Sequence, residues 1–314
     1  MNEAVFHHVY GPVPSRRLGL SLGVDLVPFK TCTYDCIYCQ LGRTTHKTLK
    51  RKEYVKVKSV LLELERKLNN GSKPNYISLA GSGEPTLHVR IGDLIRKIKQ
   101  MTDIPVAVIT NGSLFWKKEV QDALMSADLV LPSLDVGDER MFRTVNRPCS
   151  KISFEQMVQG LMEFTHRFPR SVWLEVFLVA EMTGISSQVK KIADLCRQIC
   201  PERIQLNTVV RPPAEPFIRP VSQTDLESLA DFFTPRAEII ADDKRSESAP
   251  EEIGFSTPEE IQELLLHRPC TLEEIAEGLN LPKMTVIKGL EMLMKQRKIS
   301  EVFQDGKRFY IAKK

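Results

Sequence analysis

The feature of this sequence that most constrains its fold is a regular alternation of short apolar runs and longer amphipathic segments, most evident from Tyr76 onward. The apolar runs are rich in β-branched residues and have the length of strands, while the amphipathic segments have the length and period of helices. Such alternation is typical of βα units around a parallel sheet. Strands are expected at 76–80, 106–110, 129–134, 172–180, 204–207 and 238–241, and helices at 60–68, 91–100, 118–126, 154–168, 188–198 and 223–233.

An earlier strand is expected at 21–27, directly before a cysteine-rich loop. The chain then holds about six βα units, fewer than the eight that close a full barrel. The sequence therefore predicts an α/β fold in which residues 1–241 form a partial (βα)6 TIM-type barrel.

A smaller second domain is predicted at the carboxyl end. Residues 242–254 are charged, poor in apolar side chains and interrupted by Pro250, as is typical of a linker. The residues after it favour three helices and then a hairpin. These are a helix at 257–267, a helix that opens on a capping box from Thr271 to Glu274, a helix through Val286, Leu290 and Leu293, and two strand-like runs within 299–311 around Asp305-Gly306. Residues 255–314 are therefore predicted to form a winged helix-turn-helix domain.

Composition narrows the class of protein. Apolar residues make up 42% of the chain and charged residues 27%, and the formal net charge is only +4, so charge alone does not indicate a nucleic-acid partner. No apolar run approaches the roughly 20 residues of a membrane span, and the first residues lack a signal-peptide core. We expect a cytoplasmic protein with no membrane partner. Seven cysteines, three of them within eight positions, favour metal or redox chemistry over disulfides.

The crowded cysteines are Cys32, Cys36 and Cys39. Three thiolates at this spacing can ligate three irons of a [4Fe-4S] cubane and leave the fourth iron open. A zinc site with His46 as fourth ligand is the alternative. Cys196 and Cys200 lie four apart on an expected helix and are too few for a second cluster, so we expect buried thiols there.

The segment CTYDCIYC resembles the CxxxCΦxC loop of the radical S-adenosylmethionine (SAM) superfamily. The resemblance implies that the three cysteines hold a [4Fe-4S] cluster whose open iron binds SAM. Reductive cleavage of SAM would give a 5′-deoxyadenosyl radical that abstracts hydrogen from a substrate. Tyr38 would pack near the adenine, and a flavodoxin- or ferredoxin-type protein would supply the electron.

Three later strand ends resemble the superfamily's cofactor-binding segments. Gly81-Ser-Gly-Glu-Pro85 is similar to the GGE motif that binds the methionine ammonium: Gly81 and Gly83 allow close backbone approach, and Glu84 offers a carboxylate. The other two are Thr110-Asn111-Gly112 and Ser133-Leu-Asp135, in which Asn111, Ser133 and Asp135 would line the site. Asn-Gly is also an ordinary turn, and a hydroxyl at a strand end commonly caps a helix.

The segment GPVPSRRLG, with QLGRTT after the cysteines, is similar to uncharacterised iron-sulfur oxidoreductases related to wyosine tRNA synthases. Arg16 and Arg17 would bind an anionic substrate or the cofactor carboxylate, or form a structural ion pair. His88, just past the glutamate motif, would handle a proton or face solvent at a helix start.

Three functions remain open from the sequence. The first is RNA or tRNA modification, favoured by these relatives and by nine Lys or Arg against three Asp or Glu from Lys283 to Lys314. The second is a radical SAM enzyme with a peptide or protein substrate, since winged helices also dock proteins. The third is an iron-sulfur transcription regulator. The GSGEP, TNG and SLD segments argue against it, because a regulator has no need for a complete cofactor pocket. No catalytic residue and no substrate are assigned.

Overall fold

The computed structural model describes residues 8–69, 73–240, 258–279 and 281–313, so the expected linker at 242–254 lies outside the described residues. The strands are β1 (Val9–Ser15), β2 (Gly19–Val24), β3 (Thr31–Cys32), β4 (His46–Lys47), β5 (Tyr76–Leu79), β6 (Val106–Thr110), β7 (Leu129–Pro132), β8 (Ser171–Leu178), β9 (Arg203–Thr208), β10 (Glu238–Ile239), β11 (Ile299–Gln304) and β12 (Lys307–Ala312).

The helices are α1 (Val57–Asn69), α2 (Ile91–Met101), α3 (Lys118–Leu124), α4 (Glu139–Met141), α5 (Phe154–Arg167), α6 (Ser186–Ile199), α7 (Gln223–Ala230), α8 (Pro258–His267), α9 (Leu272–Gly278) and α10 (Lys283–Lys295). A 3-10 turn covers Pro85–Leu87 and a π-helical turn covers Phe142–Asn146. None of the helices in the described ranges is both long and apolar enough to cross a bilayer.

An eight-stranded sheet in the order β1-β2-β5-β6-β7-β8-β9-β10 forms the centre of the fold. Strands β2 and β5 to β10 run parallel, and only β1 is antiparallel to its neighbour. The expected α/β fold with a mostly parallel sheet is confirmed. Each sequence-predicted strand of the sheet has its counterpart, and the predictions run past the strand ends at residues such as Ala80 and Ser133.

Strand β1 was not predicted. Its sequence, VYGPVPS, holds two prolines, which argue against a central strand but are tolerated at a sheet edge. The structure places β1 at that edge, paired with β2 across an irregular register between Tyr10 and Val13.

Strand β8 shows how the sheet separates an apolar core on one face from a cavity on the other. Its burial alternates along the strand, with Leu174, Val176 and Leu178 fully buried in the apolar core. The intervening side chains Glu175 and Phe177 point to the opposite face and line a cavity. The sheet therefore presents chemistry-bearing side chains to one interior space.

The carboxyl-terminal unit contains α8, α9, α10 and the β11–β12 hairpin, matching the elements expected there. The Thr271–Glu274 capping box is present at the start of α9. Asp305 and Gly306, both at positive φ, form the tight turn of the hairpin. The core of this unit includes Tyr10 and Val13 of β1, so β1 joins the unit to the sheet.

Candidate cofactor-binding site

The cysteine loop leaves β2 and is held in place by backbone pairing. Strand β3 pairs in parallel with β4, which sets Cys32 opposite Lys47. Further along the loop, the Ile37 N–H donates to the carbonyl of Val145 at 3.0 Å. All three sulfurs belong to half-buried residues that line one cavity.

Each of the three sulfurs accepts a nitrogen donor from a different part of the chain. Lys30 Nζ lies 3.1 Å from Cys39 Sγ, Asn111 Nδ2 lies 3.5 Å from Cys32 Sγ, and Asn146 Nδ2 lies 3.6 Å from Cys36 Sγ. Donors of this kind stabilise negative charge on sulfur. Burial, with a further contribution from the Glu84 carboxylate, raises the pKa of Cys32 to about 12, so an unligated Cys32 is a neutral thiol.

This donor set fits a [4Fe-4S] cluster better than a single metal ion. The described parts of the chain contain no group of three or more His, Cys, Asp or Glu side chains placed to hold one metal ion. His46, the fourth ligand in the zinc alternative, lies in β4 with its side chain exposed. The ligands of a cubane bind different irons, so their sulfurs surround a common cavity and do not converge on one ion. Lys30, Asn111 and Asn146 supply the N–H donors around the sulfurs that tune such clusters.

The GSGEP loop lies directly against the cysteine loop. The Lys30 N–H donates to Ser82 O at 2.7 Å, and the Glu84 N–H donates to Thr31 O at 3.1 Å. A Cβ on Gly83 would lie 1.8 Å from Thr31 O, which leaves no room for any other residue. The glycine is therefore required for the two loops to meet.

The Glu84 carboxylate is buried and accepts four hydrogen bonds. The donors are Thr86 N and Oγ1, Thr110 Oγ1 and Asn111 N. Burial raises the pKa of Glu84, although these donors act in the opposite direction. Glu84 lines the cavity. Most of its hydrogen-bond acceptor positions are nevertheless occupied by donors from the 3-10 turn and from the end of β6.

Tyr38 forms one wall of the cavity. Its ring stacks on Phe177 with centroids 4.1 Å apart, and its hydroxyl donates to Asp135. Asp135 also accepts Asn146 Nδ2 at 2.9 Å, and burial raises its pKa to about 6. Asp135 lies behind Tyr38 rather than on the cavity surface, whereas Ser133 reaches that surface.

Deeper in the barrel, Arg17 and Glu175 form an ion pair of 2.9 Å with both side chains largely buried. Arg16 donates to Ile240 O at 2.9 Å and to Asn207 Oδ1 at 3.4 Å. Burial raises the pKa of Glu175, but Arg17 and Asn207 outweigh it and hold the pKa below its usual value. Of the two expectations for Arg17, the structural ion pair is the one seen.

The expectations for His88 were wrong. The residue is fully buried, and its Nε2 lies 2.9 Å from the Val55 carbonyl oxygen, so it faces neither solvent nor the cavity. The expectation of two buried thiols held for Cys196 but not for Cys200, which is exposed.

Two residues of the sulfur environment were missed in the sequence. Lys30 is buried although it is a lysine, and its position two residues before Cys32 was the available signal. Asn146 is far from the loop in sequence and comes close through the π-helical turn, so no local pattern could have indicated it.

The carboxyl-terminal unit lines the same cavity as the cysteine loop. His267 Nδ1 lies 3.3 Å from Asp25 Oδ2, and this carboxylate accepts the Ser82 N–H of the GSGEP loop. Arg211 binds Glu274 at 2.5 Å. The cavity, about 2520 Å³ in volume, therefore runs from the cysteines to α9 and β12.

A partial barrel with a three-cysteine loop and a glycine-glutamate loop at neighbouring strand ends defines a class of protein. The model of the radical SAM superfamily matches residues 26–195, and the chain belongs to this superfamily. Enzymes of the superfamily use a [4Fe-4S] cluster and SAM, and they need an electron donor such as flavodoxin. The chain is thus a radical SAM enzyme.

Individual relatives narrow this further. A UPF0026 protein of Methanocaldococcus jannaschii is 31% identical over 309 residues, covering 96% of this chain and 95% of that protein. A protein of Brachyspira hyodysenteriae named GTPase Obg is 38% identical over 299 residues, covering 95% of this chain but only 44% of that protein. The chain spans less than half the length of this relative.

Solved structures support the fold. The structure of native anSMEcpe with bound AdoMet aligns with a TM-score of 0.52 at 16% identity, covering 70% of this chain and 63% of that chain. At this identity the likeness shows a shared fold and carries nothing about substrate.

Proposed function

We propose that this radical SAM enzyme modifies RNA, and that residues 255–314 are a winged helix-turn-helix domain that holds the nucleic acid beside the barrel of residues 1–241. The observation that carries the proposal is the shared cavity, in which cysteine-loop residues and residues of α9 and β12 line one space. A relation to the wyosine tRNA synthases is part of this proposal.

Cys32, Cys36 and Cys39 are proposed as the cluster ligands, with Lys30, Asn111 and Asn146 supplying N–H donors to their sulfurs. When bound, the cluster and SAM supply the reductive cleavage that generates a 5′-deoxyadenosyl radical. The protein's own contribution is to bind and position the cofactor.

Other residues are proposed to hold SAM. Gly81, Gly83 and Glu84 border the place proposed for its methionine end, and Tyr38, fixed by Phe177 and Asp135, offers an aromatic face for the adenine. Asn111 and Ser133 are proposed as further polar contacts of the cofactor, with Asp135 acting on it through Tyr38.

The size of the cavity favours a large substrate. Pockets for small ligands measure roughly 300–1,000 Å³. The cavity here, at about 2520 Å³, has room for more than the cofactor. A nucleotide unstacked from single-stranded RNA could enter it while the rest of the RNA stays outside.

Charge favours RNA over a peptide. The described side chains that line the cavity include ten Lys or Arg against six Glu, so the cavity surface is net positive. Lys283, Lys307 and Arg308 of the carboxyl-terminal unit are among these cations, although Lys283 pairs with Glu273 and Arg308 with Glu301. Phosphates bind such surfaces through charge, independent of sequence. The second candidate is a protein substrate, because α10 also exposes Met284, Met292 and Met294, an apolar surface suited to protein docking.

The test is SAM cleavage by the anaerobically reconstituted full chain with dithionite. We expect 5′-deoxyadenosine and methionine, and a rise in their rate when bulk tRNA is added. Matched samples with a peptide mixture or duplex DNA should give no rise. Stimulation by the peptides alone would favour the protein substrate. Specific binding of duplex DNA without any SAM cleavage would favour a transcription regulator.

A further inference from the structure

A basic segment, residues 43–58, follows the cysteine loop directly and plays no part in the cavity described above. Its 16 positions hold seven Lys or Arg and one Glu, whereas the whole chain carries a net charge of only +4. Its positive charge therefore exceeds that of the entire molecule. The exposed cations are Arg43, Lys47, Lys50, Lys52, Lys56 and Lys58.

The basic segment is attached to the proposed cluster ligands by backbone hydrogen bonds. Within it, β4 pairs with β3 and places Lys47 opposite Cys32. The Thr48 N–H donates to the Cys32 carbonyl at 2.9 Å. Paired strands lie about 4.8 Å apart, so the exposed charges of this segment begin one strand away from a proposed iron ligand.

Little of this charge is neutralised. Glu53 pairs with Lys56 and with Arg90, and Glu215 pairs with Arg43. For Lys50, Lys52 and Lys58, the described parts of the chain provide no ion pair within 4.0 Å. A net positive field therefore remains at this face.

The basic segment lies outside the lining of the cavity that is proposed to admit the substrate. Among the described residues that line the cavity, none belongs to 43–58, although Cys32, Cys39 and Leu41 just before it do. A substrate must reach the interior of the barrel. A protein that delivers electrons needs only to approach the outer side of the cysteine loop.

We propose that the basic segment is the docking face for an acidic one-electron donor protein of the flavodoxin or ferredoxin class. The inference rests on the proposed assignment of Cys32, Cys36 and Cys39 as cluster ligands. In the step that it serves, the donor's reduced flavin or iron-sulfur centre loses one electron, and the cluster gains that electron, passing from the 2+ to the 1+ state.

Charge pairing explains how such a contact would work. Complementary fields steer encounters and raise association rates, and electron-transfer interfaces are small and transient. Both effects weaken as salt screens the charges. A docking face of this kind therefore predicts fast, salt-sensitive reduction by an acidic protein.

The test compares two charge-reversal variants of the reconstituted full chain. Lys50→Glu/Lys52→Glu alters the basic segment, and Lys288→Glu/Lys295→Glu makes the same change in charge on exposed positions of α10. Stopped-flow absorbance follows cluster reduction by flavodoxin hydroquinone at low and high salt. Reduction by dithionite and iron content are measured in parallel.

We expect the first variant to lose at least tenfold in its second-order rate with flavodoxin at low salt, and the difference to shrink at 0.5 M salt. Its iron content and the extent of dithionite reduction should match the unaltered protein, and the α10 variant should keep the flavodoxin rate. An unchanged flavodoxin rate in the first variant would overturn the proposal, as would a loss of tRNA affinity without any change in that rate. Failure of the cluster assignment is distinct, since then either dithionite would reduce no cluster in any sample or the Cys36→Ala variant would keep its cluster.

Discussion

Two basic regions of this molecule have similar charge but different placement. The basic segment (43–58) pairs with the cysteine loop and contributes no residue to the described cavity lining. The second region, from Lys283 to the carboxyl end, places Lys283, Lys307 and Arg308 on the cavity surface. Position relative to the cavity, rather than charge, is therefore the basis on which we propose one region for an electron donor and the other for a polyanionic substrate.

The two regions also differ in how they are attached. The basic segment follows the cysteine loop without interruption and pairs with it through backbone hydrogen bonds. The carboxyl-terminal unit meets the barrel through side chains: His267 against Asp25, Arg211 on Glu274, and Tyr10 in its core. Side-chain contacts can be tested one at a time, so the carboxyl-terminal unit is the better target for substitutions.

The largest expected effect concerns the cysteines on which the comparison depends. Cys36→Ala should abolish the brown absorption of the cluster and lower the iron content, because two thiolates cannot hold the cubane. Cys196→Ala is the matched control, since Cys196 is buried in the core of the barrel. Absorption spectra and iron analysis measure the chromophore and the iron content of both variants. Loss of the chromophore in the control variant instead would contradict the ligand assignment.

Arg211→Ala should destabilise the docking of the carboxyl-terminal unit. Arg211 donates to the Pro269 carbonyl at 3.0 Å and pairs with Glu274, and both side chains are largely buried. Removing one partner of such a pair leaves an uncompensated charge, and we expect a loss of about 3 kcal/mol in the free energy of unfolding. Urea denaturation followed by circular dichroism measures it.

The control for Arg211 is Arg203→Ala, which removes exposed ion pairs with Glu202 and Glu238 and a cation–π contact with the Trp173 ring. Exposed pairs contribute about 0–1 kcal/mol, so this variant should unfold almost as the unaltered protein does. Equal stability of the two variants would show that the Arg211 contact does not hold the unit in place.

These contacts show what could be predicted from sequence. The alternation of apolar and amphipathic segments predicted the parallel sheet, and the Thr271–Glu274 capping box was confirmed in place. Such patterns are local. The packing of Tyr10 into the carboxyl-terminal core, and the approach of Asn146 to Cys36, join residues more than 100 positions apart. No periodicity encodes contacts of this kind.

The residues of the proposed site also divide into those that a local pattern predicts and those whose role depends on tertiary packing. Gly83 follows from a motif because the close approach of the Thr31 carbonyl leaves no room for a Cβ. The three cysteines follow from a spacing that suits thiolate ligation of iron. Glu84 and Asp135 were expected to contact the cofactor, and their burial shows that much of their hydrogen bonding is internal. Whether a carboxylate faces a ligand or its neighbours depends on tertiary packing, which spacing does not reveal.

An effect of intermediate size is expected on tRNA binding, and it tests the proposal that the carboxyl-terminal unit binds RNA. Lys288→Glu/Lys295→Glu should weaken tRNA binding about tenfold and reduce its dependence on salt, because fewer phosphates are neutralised. Filter binding at several salt concentrations measures both quantities. Lys50→Glu/Lys52→Glu, with the same change in charge, should bind tRNA as the unaltered protein does. If the two variants bind tRNA equally weakly, both basic regions serve RNA and the division drawn above is wrong.

The smallest expected effect separates charge inside the pocket from charge outside it. Lys30 is buried with its ammonium 3.1 Å from Cys39 Sγ, whereas Lys50 is exposed on the basic segment. A reduced cluster carries one more negative charge, which the Lys30 ammonium stabilises, so Lys30→Gln should lower the midpoint potential. We expect tens of millivolts, on the order of 1 kcal/mol, since a nearby unit charge acts strongly where solvent does not screen it.

Lys50→Gln removes the same charge where water and salt screen it, and its potential should stay close to that of the unaltered protein. Redox titration followed by electron paramagnetic resonance measures both variants, and iron analysis verifies that each holds its cluster. Because glutamine keeps an N–H donor, a shift confined to Lys30→Gln would reflect charge rather than a lost hydrogen bond. A shift of equal size in both variants would mean that the charges of the basic segment act on the cluster potential directly. Their effect on reduction would then require no docked partner protein, which would contradict the proposed docking face.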